Sequence, residues 1–178
     1  LCDDQFGDAW WESVENRWLY GDFAEDARWR EGWISVDCLL YDERDDRVYA
    51  GITSLAADIF RAYDRKSCAF VDLGYDRIAD PYDAKFHRSL VRWERDGCLY
   101  GAIALLHDVD HYWDGPGGAI VRYDPRTGEI DKLGIPLPHV YIQSICLDQE
   151  RGWLYGQTFT PERLFRFDLA TGRADDLG

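Results

Sequence analysis

Ser144-Ile145-Cys146-Leu147-Asp148, then Leu154-Tyr155-Gly156, then Leu164-Phe165-Arg166-Phe167-Asp168: this stretch decides the fold, because it occurs three times. The first copy runs Cys38-Leu39-Leu40-Tyr41-Asp42, Val48-Tyr49-Ala50-Gly51, Ile59-Phe60-Arg61-Ala62-Tyr63-Asp64. The second runs Ser89-Leu90-Val91-Arg92, Leu99-Tyr100-Gly101, Ile120-Val121-Arg122-Tyr123-Asp124. In every copy the opening residue precedes the tyrosine by 11 positions, and a Leu-Gly pair ends 10 positions after the last Asp, at Gly74, Gly134 and Gly178. Blocks of fixed length in fixed order mark an internal repeat, and the repeat sets the architecture.

Each copy reads as four short strands, A to D. Strand A is the apolar run before an acidic turn, strand B carries the tyrosine-glycine step, and strand C is the Phe/Val-Arg run. Asp124-Pro125-Arg126-Thr127-Gly128 and Asp168-Leu169-Ala170-Thr171-Gly172 then read as hairpin turns. Asp caps the turn, Pro fixes φ, and Gly supplies positive φ. β-Branched and aromatic residues fill the strands, and no helical period is sustained. The copies open 51 and 55 residues apart, the length of one four-stranded blade with its loops.

The Tyr-Asp-Pro-Arg-Thr-Gly turn (Tyr123 to Gly128) and the Leu-Tyr-Gly step resemble bacterial β-propeller repeats of the quinoprotein-like, NHL-like and streptogramin-lyase-like groups. The resemblance covers residues 33–178 and implies an all-β propeller piece of three four-stranded antiparallel blades. Those groups share repeats across unrelated activities, so it implies architecture more than function. Ala9-Trp10-Trp11-Glu12 with Leu19-Tyr20-Gly21 reads as a degenerate N-terminal half-blade, because too few residues follow it to make strands C and D. The expected division is a partial blade over 1–32 and blades over 33–80, 81–136 and 137–178. Propellers close with about four to eight blades, so the expectation is an incomplete ring. The missing blades of a longer chain, or self-association, would cover its flanks. The chain begins at Leu1 and contains no Met, which fits a processed chain or a piece of a longer one.

Composition narrows the function. The 178 residues are 46% hydrophobic and 15% aromatic, which excludes a disordered chain. A net charge of −14, with cations scattered among acids, excludes nucleic acid as a partner and disfavours anionic lipid. No apolar run approaches membrane-spanning length. No secretory leader is visible, and the compartment stays open between cytoplasmic and secreted. The five Cys show no Cys-x-x-Cys spacing; Cys38, Cys98 and Cys146 are expected as small buried thiols.

In a propeller the D-to-A and B-to-C connections share one face, the usual ligand face. All four histidines map to it. His87 falls at the end of one D-to-A connection and His139 in the next. His107 and His111 fall in the long B-to-C insertion Leu106-His107-Asp108-Val109-Asp110-His111-Tyr112-Trp113. Imidazole and carboxylate suit a divalent metal, so His107, His111, His139 and Asp108 are the candidate metal ligands. His107, His139 and Tyr112 are the candidate proton-transfer groups. His87, Trp113, Asp110 and Gln143 are the candidate ligand contacts. The leading reading is a binding module for a small or saccharide-like ligand, or a protein. The alternatives are a metal-assisted lyase or hydrolase acting on oligosaccharides, with whether the chain is an enzyme at all left open, and a scaffold without a site. A bland account of each feature stands beside these. The His-Asp loop also reads as a solvated loop, and the repeated Arg61, Arg122 and Arg166 as blade-to-blade packing or a turn salt bridge.

Overall fold

The computed structural model describes residues 33–54, 58–105, 115–159 and 161–178. Among the described residues twelve strands form three consecutive four-stranded antiparallel meanders. The first holds β1 (Trp33–Asp42), β2 (Arg47–Ser54), β3 (Phe60–Asp64) and β4 (Ala69–Asp72). The second holds β5 (Asp83–Arg92), β6 (Leu99–Leu105), β7 (Ile120–Asp124) and β8 (Glu129–Gly134). The third holds β9 (Tyr141–Asp148), β10 (Trp153–Phe159), β11 (Leu164–Asp168) and β12 (Ala174–Asp176). One bridge, Thr53 to Lys85, joins the first two sheets. The innermost strands β1, β5 and β9 pack in succession. This is an all-β propeller piece, an open arc of three blades. The expected half-blade lies in 1–32, outside the described residues.

Two cores lie between the blades rather than within them. Tyr49, Ile52 and Phe60 of the first blade meet Phe86, Leu99, Ile103, Val121 and Tyr123 of the second. Cys98, Tyr100, Ala102 and Ile120 of the second meet Ile142, Leu154, Phe165 and Phe167 of the third. Successive residues of β6 thus enter opposite cores, as period-two geometry requires. The middle blade is covered on both faces, and all seven residues of β6 are buried. Among the described residues the flanking blades are covered on one face, and Val36, Leu39 and Tyr41 of β1 are more than half exposed. Phe60 stacks on Phe86 with ring centroids 4.8 Å apart, and Tyr123 meets Phe60 edge-on at 5.5 Å. The step glycines make such contacts possible: a Cβ on Gly101 would enter the Phe86 ring, and one on Gly156 the Phe165 ring.

The repeated turn chemistry is visible atom by atom. Asp64 Oδ1 accepts the Lys66 and Ser67 N–H groups, Asp124 Oδ1 that of Arg126, and Asp168 Oδ1 those of Ala170 and Thr171. Gly128 and Gly172 take φ of 74° and 70°; in the first blade Cys68 occupies that position at 53°. For the repeated arginines the structure bears out the salt-bridge alternative and not blade-to-blade packing. Arg61–Asp72, Arg122–Asp131 and Arg166–Asp175 are cross-strand neighbours, with ion pairs at 2.5, 3.2 and 2.5 Å. They brace strand C against strand D inside each blade rather than joining blades.

Blades are stitched at the A-to-B turns instead. Asp42 pairs with Arg92, and Arg44 with Glu94. The Gln149 side chain donates to the Arg92 carbonyl and accepts from the Glu94 N–H. Cys38, Cys68, Cys98 and Cys146 are free thiols. Cys98 is buried and Cys38 half-buried, but Cys146 is exposed on the uncovered face of β9, against expectation. Among the described residues no helix is long and apolar enough to cross a membrane.

Candidate functional site

The three innermost strands share an irregularity that sequence reading did not foresee. In β1, Val36 faces Ile52 and Cys38 faces Gly51, so Asp37 is an extra residue. In β9, Ile142 faces Thr158 and Ser144 faces Gln157, so Gln143 is extra. In β5, Phe86 faces Ile103 and Leu90 faces Gly101, so the His87-Arg88-Ser89 segment bulges. Asp37, Arg88 and Gln143 each immediately precede the opening residue of their copy. A bulge thus recurs at one repeat position on every inner strand, and each holds a polar residue. Bulges re-aim side chains and collect beside functional sites.

The surroundings are polar and ordered. Asp37 accepts from Ser35 Oγ at 3.0 Å and Thr53 Oγ1 at 2.5 Å, and Lys85 Nζ lies 3.6 Å from it. His87 is 9% exposed, and its Nδ1 is buried without a hydrogen-bond partner among the described residues. Its ring lies 6.2 Å from that of Tyr141, which lies 5.2 Å from Phe159. Burial first, then the charges of Lys85 and Arg88, push the His87 imidazole down to about 4, with Asp37 opposing. His87 is therefore neutral near pH 7, offering a donor or an acceptor according to tautomer. Arg88 sits at φ 46°, a left-handed conformation costly for a residue with a side chain.

Connections at this end are pinned by hydrogen bonds. Asp58 accepts the Phe60, Gly74 and Tyr75 N–H groups at 2.9, 2.5 and 2.9 Å. The acidic linker at Asp80–Asp83 is tied in as well: Lys132 Nζ reaches both Asp80 and Asp83 at 2.5 Å, and Tyr75 Oη donates to Asp83 at 2.7 Å. His139 lies in the β8-to-β9 connection as expected, at φ 61°. Its Nδ1 is 2.9 Å from the Gly115 carbonyl, and its N–H donates to that of Pro116 at 3.1 Å. His139 thus fastens one connection to the next.

Of the residues singled out from sequence, the structure places His87 and Gln143 on neighbouring inner strands. His87 is not in a connection, as expected, but inside β5, because that strand begins at Asp83. His107, Asp108, Asp110, His111, Tyr112 and Trp113 lie outside the described residues. Among the described residues no group of three or more His, Cys, Asp or Glu is placed to hold a metal. Asp37, Lys85, Arg88 and Tyr141 were missed. For Asp37 and Arg88 the signal is a polar residue just before the opening residue of the copy; Lys85 and Tyr141 carry no such mark.

No protein-family model and no curated protein matches this chain. Solved structures do. An auxiliary nutrient binding protein from Bacteroides thetaiotaomicron VPI-5482 is 16% identical with a TM-score of 0.52, over 80% of this chain and 31% of its own. A GH74 enzyme from Niastella koreensis is 14% identical with a TM-score of 0.57, over 78% and 22%. A puromycin hydrolase is 13% identical with a TM-score of 0.50, over 80% and 20%. At such identities the likeness is one of fold. This chain spans less than a third of the length of each.

Proposed function

We propose that the chain is part of a propeller binding module whose inner-strand bulges receive a small, saccharide-like ligand. The observation that carries this reading is the recurrence of the bulge, with Asp37, Arg88 and Gln143 at one repeat position on three packed strands. Buried His87 supplies a nitrogen without a hydrogen-bond partner among the described residues, and the Tyr141–Phe159 pair supplies an aromatic surface, with Phe159 40% exposed. A few placed polar groups beside aromatic rings are what small-ligand sites present. The auxiliary nutrient binding protein supports the reading only in that a similar fold serves nutrient binding.

The test is glycan-array screening followed by calorimetry on the best binder, with Tyr141→Ala and Gln143→Ala beside the unaltered chain. Each variant is expected to weaken binding about tenfold while keeping its unfolding midpoint within a few degrees. A binder unaffected by both changes would remove the site from this end of the strands.

A further inference from the structure

Resting on that binding reading, we infer that the ligand carries a carboxylate and that Arg88 is the residue that pairs it. Two independent observations support this: the state of Arg88 and the state of His87.

The chain carries a net charge of −14, so arginines have acids within easy reach. Arg44, Arg47, Arg61, Arg65, Arg92, Arg122, Arg126, Arg151, Arg163, Arg166 and Arg173 all form ion pairs. Arg77 donates to the Gly74 and Leu73 carbonyls, and Arg95 lies over the Trp93 ring. Among the described residues Arg88 alone of the arginines has no ion pair, hydrogen bond or ring partner. It is exposed, and its backbone is held at positive φ by the bulge. A strained backbone carrying an unpaired guanidinium in an acidic protein is a feature that folding alone does not call for.

The neighbouring charges do not use it. The Asp37 carboxylate is already surrounded by Ser35, Thr53 and Lys85, and Glu162, which like Arg88 acts on Tyr141, makes no ion pair with Arg88 among the described residues. Arg88 follows His87 in the β5 bulge, and β9, which carries Tyr141, packs against β5. Next to Arg88, more than nine-tenths buried, His87 holds an Nδ1 that has no hydrogen-bond partner among the described residues. A planar guanidinium matches a carboxylate in bidentate fashion. A neutral imidazole beside it suits an adjacent hydroxyl, and the Tyr141 ring suits the body of a sugar. The set fits a hexose oxidised to its uronate better than the neutral hexose.

The experiment titrates the chain with a panel of glucose, galactose and mannose oligomers and with the uronate counterpart of each. The same panel is run on Arg88→Asn, because Asn tolerates positive φ and should leave the bulge intact. The expected result is at least about tenfold tighter binding of one uronate than of its neutral counterpart, weakened by added salt and levelled in Arg88→Asn. Neutral and acidic partners binding alike, or selectivity surviving in Arg88→Asn, would overturn the inference and leave the saccharide site standing. No binding to any member of the panel would overturn both.

Discussion

Acidification through the range where histidine ordinarily titrates isolates His87. The imidazole is buried between inner strands, and Lys85, Arg88, Asp37 and Tyr141 are the charged and titratable groups that face it. Its value falls from the ordinary 6.5 to about 4, with burial the largest cause. The unfolded chain therefore binds the proton first between those values, so folding loses stability as pH falls through that window. The contribution is full above pH 6.5 and amounts to about 3 kcal/mol lost by about pH 4, with about 2 kcal/mol gone by about pH 5. The assay is urea unfolding followed by tryptophan fluorescence at a series of pH values, on the unaltered chain and on His87→Gln. Asp64, Asp124, Asp148 and Asp175, held below the ordinary carboxylate range by hydrogen bonds and arginines, also lose stability in acid. Their loss is common to both proteins and cancels in the difference. That difference should shift by about 3 kcal/mol toward the Gln variant between about pH 7 and pH 4. A difference that stays flat across the range would refute the claim that His87 is buried and neutral.

Three further outcomes are expected. Asp58→Ala strips three backbone N–H groups of their acceptor in a buried connection, and should cost about 3–5 kcal/mol in urea unfolding. Gly101→Ala drives a methyl into the Phe86 ring and should cost about 1–3 kcal/mol, read as a lower thermal midpoint. Cys68→Gly relieves a left-handed residue in an exposed hairpin turn where the other blades carry Gly, and should stabilise by about 0.5–1 kcal/mol in the same assay.

The fold was legible because its signals are local. Asp124, Pro125 and Gly128 act within one turn, and the step tyrosines recur 11 positions after the opening residue of each copy. The arginine pairs were half legible. Recurrence marked Arg61, Arg122 and Arg166 as structural, but their partners Asp72, Asp131 and Asp175 emerge only when strands C and D are set in register. The site was least legible. The His-Asp-x-Asp-His insertion drew attention because it is dense in ligating residues, while the bulges drew none. A bulge is a difference in length between two paired strands, and neither strand shows it alone.

The sequence by itself determined the repeat, the strand order within each blade and the turns, because hairpins are made from neighbours in the chain. Tertiary structure alone decided that cores form between blades, that β6 is buried on both faces while β1 and β9 are not, and that Cys146 is exposed. It also decided that His87 is neutral, that Asp37 is surrounded by donors, and that Arg88 has no partner among the described residues. Burial and electrostatics sum over strands far apart in sequence, so they exist only once the blades have packed.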